Sequence, residues 1–317
     1  MDPIYQLLMT PLLLCFTAIY VGCQSSESAT TLLQEKPAHN PLITAVDLAK
    51  ILKEENLVIL DMGPEKELYQ EGHIPGAVYI DWVEDITDTE KRESYLIANR
   101  ETFQNLLRRV GVTEDSRIVI YDDMDSRVSM RMYWSLKYYG LSNLQILDGG
   151  RDVWLEKGSG MTTDVPPTAT PSTLNLDLPN KKLAADLDFI ADRLQNPKVV
   201  LIDGRPAGQF NGSDPGKVFH TGAVHQKRGH IPGAVNVFWK DNFNEDGTFK
   251  TKSELEELYS DVTGSEWVVT YCNEGLHAVP PWFVLSELLG RGNVRVYDNS
   301  LSEWANSDQP IETSVKN

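Results

Sequence analysis

Cations are scarce in this chain. Over 317 residues, 29 lysines and arginines face 46 aspartates and glutamates, a formal net charge of −17. That balance excludes nonspecific binding to nucleic acid or to an anionic membrane surface, since both would repel the chain at long range. It also means that any anionic ligand has to be met by a local positive field. Cysteine is scarcer still, with three in all. Cys15 and Cys23 lie in an N-terminal apolar segment, so the folded part holds one thiol, Cys272, and no internal disulfide. Material for a metal site is lacking too: His220 and His225 in the stretch 211–228 match no familiar ligand spacing and have no cysteine near them, so no metal and no cofactor is expected. Long hydrophobic runs are absent except at 7–21, which is too short for a membrane span. Apolar residues are nevertheless 41% of the chain, enough over this length for two domains with cores of their own.

The lone thiol stands in a telling place. Val268-Val269-Thr270-Tyr271 reads as a buried strand, and Pro280-Pro281 followed by an apolar run to Leu289 and Gly290 reads as a helix opening on proline and closing on glycine. Between them lies a short loop that begins with Cys272 and includes Gly275. Backbone N–H groups ahead of a helix point into such a loop, which predicts a thiol that ionises more readily than a free one. The competing reading is an inert buried cysteine.

An internal repeat organises the rest. Gly72-His73-Ile74-Pro75-Gly76-Ala77-Val78 recurs letter for letter as Gly229-His230-Ile231-Pro232-Gly233-Ala234-Val235. Each copy follows an apolar strand ending in aspartate, Asp61 or Asp203, and precedes a second buried strand ending at Asp122 or Cys272. Short apolar strands alternating with helical stretches predict an α/β fold, each copy a mostly parallel sheet flanked by helices. Ligands in such sheets sit at the carboxyl ends of strands, where Cys272 falls. Asp122 takes the cysteine's place in the first copy, a degenerate site, and no glycine shapes the residues after it.

The expected boundaries are 1–23 for a signal, 24–40 for a tether, 41–160 for the first domain, 161–182 for a Thr/Pro/Ser-rich linker and 183–313 for the second domain. Gly22-Cys23 followed by polar residues resembles a bacterial lipoprotein signal in which Cys23 is the lipidated residue. Two departures are the missing Lys or Arg in residues 1–6 and Tyr20 where such signals usually carry Leu. A plain signal peptide and an uncleaved anchor stay open beside it. The expectation is an exported, periplasmic protein tethered to the membrane only through its N-terminus.

The duplicated motif, the strand-end aspartates, Asp148-Gly149-Gly150 with Trp154, Tyr297-Asp298 with Ser300 and Glu303-Trp304, and a cysteine loop confined to the second copy resemble the tandem-domain rhodaneses, or sulfurtransferases, over about residues 41–311. The resemblance implies two rhodanese-like domains with the N-terminal copy catalytically silent. It implies a cysteine that takes a sulfane sulfur from thiosulfate, mercaptopyruvate or a persulfide and passes it to cyanide or a thiol. By position, Cys272 is then the nucleophile, Asn273, Glu274, Gly275, Leu276, His277 and Ala278 form its cradle, and Asp203 with Arg205 braces it. Two departures concern charge: thiosulfate-using members resembling this architecture carry cations where this chain has Glu274 and Gln209. The loop is closer to an apolar and aromatic variant found in some bacterial members. Lys227 and Arg228 are the candidates for the missing positive field, with solvated surface as their default reading. His277 either pairs with the thiolate or packs at the helix start. A cysteine phosphatase or arsenate reductase would need an arginine closing a longer loop, and none of residues 273–278 is cationic. A persulfide carrier or protein-binding module remains the alternative function.

Overall fold

The computed structural model describes residues 40–88, 96–218 and 222–314. The expectations for residues 1–39, Cys23 included, and for His220 fall outside them.

Among the described residues, ten strands form two five-stranded sheets, parallel throughout. The first contains β1 (Leu42–Ile43), β2 (Leu57–Asp61), β3 (Ala77–Tyr79), β4 (Arg117–Tyr121) and β5 (Leu144–Leu147), in the order β1-β5-β4-β2-β3. The second contains β6 (Ala184–Ala185), β7 (Val199–Asp203), β8 (Val235–Asn236), β9 (Trp267–Tyr271) and β10 (Val294–Tyr297), in the order β6-β10-β9-β7-β8. The central strands are continuous β-branched runs because helices cover both faces and leave no side for polar residues. Registers repeat between the copies. Asp61 pairs with Tyr121 across β2 and β4, and Asp203 with Tyr271 across β7 and β9. Each tyrosine stands one residue before the position that differs, Asp122 or Cys272.

The shared seven-residue motif fixes a turn against these tyrosines. Ile74 and Ile231 are fully buried, and their N–H groups donate to the hydroxyls of Tyr121 (3.2 Å) and Tyr271 (3.1 Å). His73 stacks on Tyr69 at 3.8 Å and bonds its carbonyl, and His230 does the same with Phe210 at 3.7 Å. Both histidines thus belong to the scaffold.

The segment expected as the interdomain linker lies along the first domain. Leu174 and Leu176 are buried, and their carbonyls accept from Arg108 (2.7 Å) and Arg100 (2.9 Å) of the helix Arg100–Arg109. The helix expected after Pro280-Pro281 is also less regular than its sequence implied. A 3₁₀ turn (Leu276–Ala278) leads into one α-helical turn (Val279–Phe283) and then a π turn (Val284–Leu288), closed by the Leu289 N–H on the Val284 carbonyl. The two prolines lie in that first turn, where a missing N–H costs no intrahelical hydrogen bond.

The domains meet through equivalent helices. Arg127–Tyr138, which follows β4, packs on the segment that follows β9, with Tyr133 edge-on to Phe283 at 5.0 Å. Tyr133 and Lys137 both reach Glu287, at 2.9 and 2.8 Å. Deeper in, the buried Arg131 contacts Asp298 at 2.5 Å, and the same carboxylate accepts the Ile97 N–H at 3.0 Å. A first-domain cation therefore neutralises a second-domain carboxylate beside the Cys272 loop. Removing one partner of a buried pair strands the other charge, a loss of roughly 3–5 kcal/mol. Arg131→Ala should lower unfolding stability by about that amount in a denaturant titration, and a loss under about 1 kcal/mol would contradict the assignment.

Candidate active site

Cys272 follows β9 at the carboxyl edge of the second sheet and is 2% exposed. Its surroundings divide the loop's backbone N–H groups into two sets. Those of Cys272 and Gly275 donate to the Ser300 hydroxyl at 3.0 and 3.1 Å, and that hydroxyl donates to the Tyr297 carbonyl at 2.7 Å. The N–H groups of Glu274 (3.4 Å from Sγ) and His277 are left for the sulfur. Gly275 has φ +86°, and a Cβ there would lie 2.6 Å from an Asp298 carboxylate oxygen, so no other residue fits. Ser300 itself is left-handed, φ +50°.

In the first copy the same geometry holds a carboxylate. Buried Asp122 accepts N–H bonds from Met124 (2.8 Å), Ser126 (2.9 Å) and Ser129 (2.7 Å). Asp125 and Ser126 adopt positive φ in place of a glycine, at a cost of roughly 1–2 kcal/mol each. Gly150 stands where Ser300 stands in the second copy, because a Cβ would lie 2.5 Å from the Asp122 carbonyl oxygen.

Asp203 and Arg205, both fully buried, form a bidentate pair with contacts of 2.9 and 2.7 Å, and Arg205 also donates to the Gly229 carbonyl at 2.7 Å. Asn236 ties their backbone carbonyls together at 2.9 and 2.8 Å. Gly204 lies between them against the His277 carbonyl, where a Cβ would come within 2.3 Å. The pair thus abuts the far end of the cysteine loop.

A cavity of about 340 Å³ opens over Cys272 between the two domains. Trp82 and Met124 of the first domain and Phe238, Trp239 and Leu276 of the second give it apolar walls. Trp239 is the hub. His277 stacks on it at 4.9 Å, and Arg127 and Lys240 each place their charge 5.2 Å from the same ring. Burial, then the fields of Arg127 and Lys240, push the His277 imidazole down to about 3, so it is neutral at physiological pH. Its side chain is a stacking surface, and its backbone N–H is what serves the sulfur.

Three expectations need correction. Burial pushes the Cys272 thiol up, and the nearby Glu274 carboxylate adds to the effect, while the N–H groups of Glu274 and His277 pull the other way. The dipole of a one-turn helix is too weak to overcome the loss of water around a buried charge. Lys227 and Arg228 do not line the cavity: Lys227 is bound to the carbonyls of Ser307 and Gln309, and Arg228 is exposed. The cations that do line it are Arg127, Lys217 and Lys240. The insertion, read as a solvated loop, is anchored by His225, which is 4% exposed and bonds Asn273 at 3.0 Å; Asn273 in turn donates to Gln209 at 3.0 Å. Ser300 had a signal in the repeat, through its partner Gly150. Trp239 and Lys240 lie outside the duplicated motifs and had none, and Arg127 reaches the cavity over Cys272 only through the packing of the two domains.

A family model described as "Rhodanese-like domain" matches residues 44–157 and 186–307. A thiosulfate sulfurtransferase of Corynebacterium glutamicum is 34% identical over 286 residues, 88% of this chain and 93% of that protein. The sulfur carrier protein TtuD of Thermus thermophilus is 31% identical over 275 residues, covering 85% and 95%. Among solved structures, SseA of Escherichia coli, described as a 3-mercaptopyruvate sulfotransferase, superposes with a TM-score of 0.72 at 25% identity, covering 82% of this chain and 98% of that one.

With its pKa raised, Cys272 is a neutral thiol at pH 7, and its thiolate fraction grows as pH rises past the free-thiol value of about 8.5. Alkylation by iodoacetamide should therefore accelerate with pH beyond that of a free cysteine. Glu274→Gln should move the profile to lower pH. A profile centred below pH 7 in the unsubstituted protein would refute the dominance of burial.

Proposed function

The chain belongs to the rhodanese family and is a sulfurtransferase, and from that premise we propose that Cys272 is its nucleophile. The thiolate attacks the sulfane sulfur of a small donor, the donor's bond to that sulfur breaks, and the leaving group departs with the electron pair, as sulfite when the donor is thiosulfate. The persulfide anion so formed lies against the N–H groups of Glu274 and His277. A thiol or cyanide then attacks the outer sulfur and returns Cys272 to its starting state. The observation that carries this reading is a buried thiol at a strand end, under N–H donors and facing a cavity of organic-ligand size.

The first copy is silent on this account, since the Asp122 carboxylate occupies its own cradle and is no nucleophile toward sulfur. Initial rates with donor and acceptor varied together should give the parallel lines of a ping-pong mechanism, and Cys272→Ser should abolish turnover with an unchanged circular dichroism spectrum. A single stoichiometric discharge would favour the carrier reading, which the likeness to TtuD supports. Turnover retained in Cys272→Ser would exclude the nucleophile named here.

The apolar run at 7–21 with Gly22-Cys23 and a polar tether supports export and attachment of a lipid at Cys23. Among the described residues no helix is long and apolar enough to cross a membrane. Cys23→Ser should move the protein from the membrane fraction to the soluble periplasmic fraction. An unchanged membrane association would count against lipidation.

A further inference from the structure

The cavity poses a problem that charge alone states clearly. The net charge is −17, a carboxylate (Glu274) lies two residues from the thiol, and the amide of Gln209 lines the wall. Yet a sulfane-sulfur donor is an anion. The positive field comes from both sides of the domain boundary, from Arg127 of the first domain and from Lys240 and Lys217 of the second. Arg127 opens the first domain's helix Arg127–Tyr138, and its nearest carboxylate, Asp125, is 3.9 Å away, too far for a strong hydrogen bond. Its Nε is shielded from solvent and has no hydrogen-bond partner among the described residues. Lys240 takes Asp125 at 2.8 Å. Two cations thus share one carboxylate, which leaves the cluster with one positive charge in excess, and both lie over Trp239.

The walls of the cavity restrict the ligand further. A bare inorganic dianion is met best by a small polar pocket with several charged donors. This cavity is about 340 Å³, mostly apolar, and aromatic on two sides. Sites of that size and character take organic ligands, with a few polar groups fixing orientation. A guanidinium with donor capacity to spare suits an oxyanion head.

We propose that Arg127 of the silent domain, together with Lys240, holds the anionic head of the donor, and that the site selects an organic sulfane-sulfur anion with an apolar body over inorganic thiosulfate. The proposal rests on Cys272 being the nucleophile. With a thiosulfonate, the Cys272 thiolate bonds the terminal sulfur, the bond from that sulfur to the sulfonyl sulfur breaks, and the sulfinate leaves with the electron pair. The two negative charges before the step are two after it, and no outside oxidant or reductant takes part. Arg127 and Lys240 face the sulfonyl oxygens, which share the donor's negative charge before the step and carry the sulfinate's after it. The apolar group lies on Met124, Trp82 and Trp239.

Benzenethiosulfonate and thiosulfate make a matched pair, differing only in a phenyl group against an oxide. The first should be the better substrate by about tenfold or more in kcat/KM, the worth of burying a small part of one aromatic face. Arg127→Gln should raise KM for benzenethiosulfonate by about tenfold or more with kcat little changed, as expected for a lost charge-assisted hydrogen bond, and Arg127→Lys should recover part of it. Thermal unfolding of both variants checks the fold. Equal or better use of thiosulfate, or an Arg127→Gln variant that folds and keeps its KM, overturns the proposal while leaving Cys272 untouched. Failure of both donors to add sulfur to Cys272, read by intact mass, overturns the nucleophile and this inference with it.

Discussion

One buried hydroxyl decides which backbone N–H groups are left for the Cys272 sulfur. Backbone N–H groups inside a protein must find acceptors, and the loop after Cys272 has several and no sheet or regular helix to take them. Ser300 accepts two, from Cys272 and Gly275, and hands its own proton to the Tyr297 carbonyl. With those spent, the N–H groups of Glu274 and His277 have the sulfur as their acceptor. Structure and chemistry therefore draw on the same short stretch of backbone. The arrangement also explains the sharp backbone on both sides of the contact, with Gly275 and Ser300 both at positive φ.

The two copies show how one scaffold supports two outcomes. Both keep the strand registers, the isoleucine held by a tyrosine hydroxyl, and the histidine stacked on an aromatic ring. The carbonyl of the glycine that opens the shared motif needs a cationic donor in each. In the second domain Arg205 supplies it from the turn after β7. In the first domain Gly63 stands at the equivalent position, and Arg151, from the helix after β5, donates to the Gly72 carbonyl at 2.6 Å instead. The need is the same, and the residue that meets it has moved along the chain. What remains of the first site is a carboxylate in a cradle, and its surroundings serve the other domain: Arg131 neutralises Asp298 under the cysteine loop, while Trp82, Met124 and Arg127 form one wall of the cavity.

Much of this was legible in the sequence because the repeat is exact where the scaffold is strictest. Apolar strands ending in Asp61 and Asp203, and the duplicated glycine–proline turn, imply two parallel sheets without any structure. Cys272 stood out because a strand, a lone thiol and Gly275 follow in order. The charges around it were not legible. Lys227 and Arg228 belong to the same domain as Cys272, but carbonyls of the C-terminal segment take the one and solvent the other. Arg127 is some 145 positions away from Cys272, and only the docking of equivalent helices brings it to the cavity. The thiol's acidity departs from the sequence expectation for a different reason. Pattern shows the N–H donors and leaves out the burial, and burial is the larger effect here. His277 is the converse case, a residue type associated with proton transfer that the fold keeps neutral and uses as a flat apolar face.

The central claim is that a sulfur atom passes through Cys272. Intact-mass spectrometry of the purified protein after brief exposure to a sulfane-sulfur donor tests it most directly, with peptide mapping to locate the change. The account predicts a gain of a single sulfur on the peptide carrying Cys272, removed by cyanide or a thiol. Added sulfur on any other residue, or none at all on a thiol shown to be free, would contradict it.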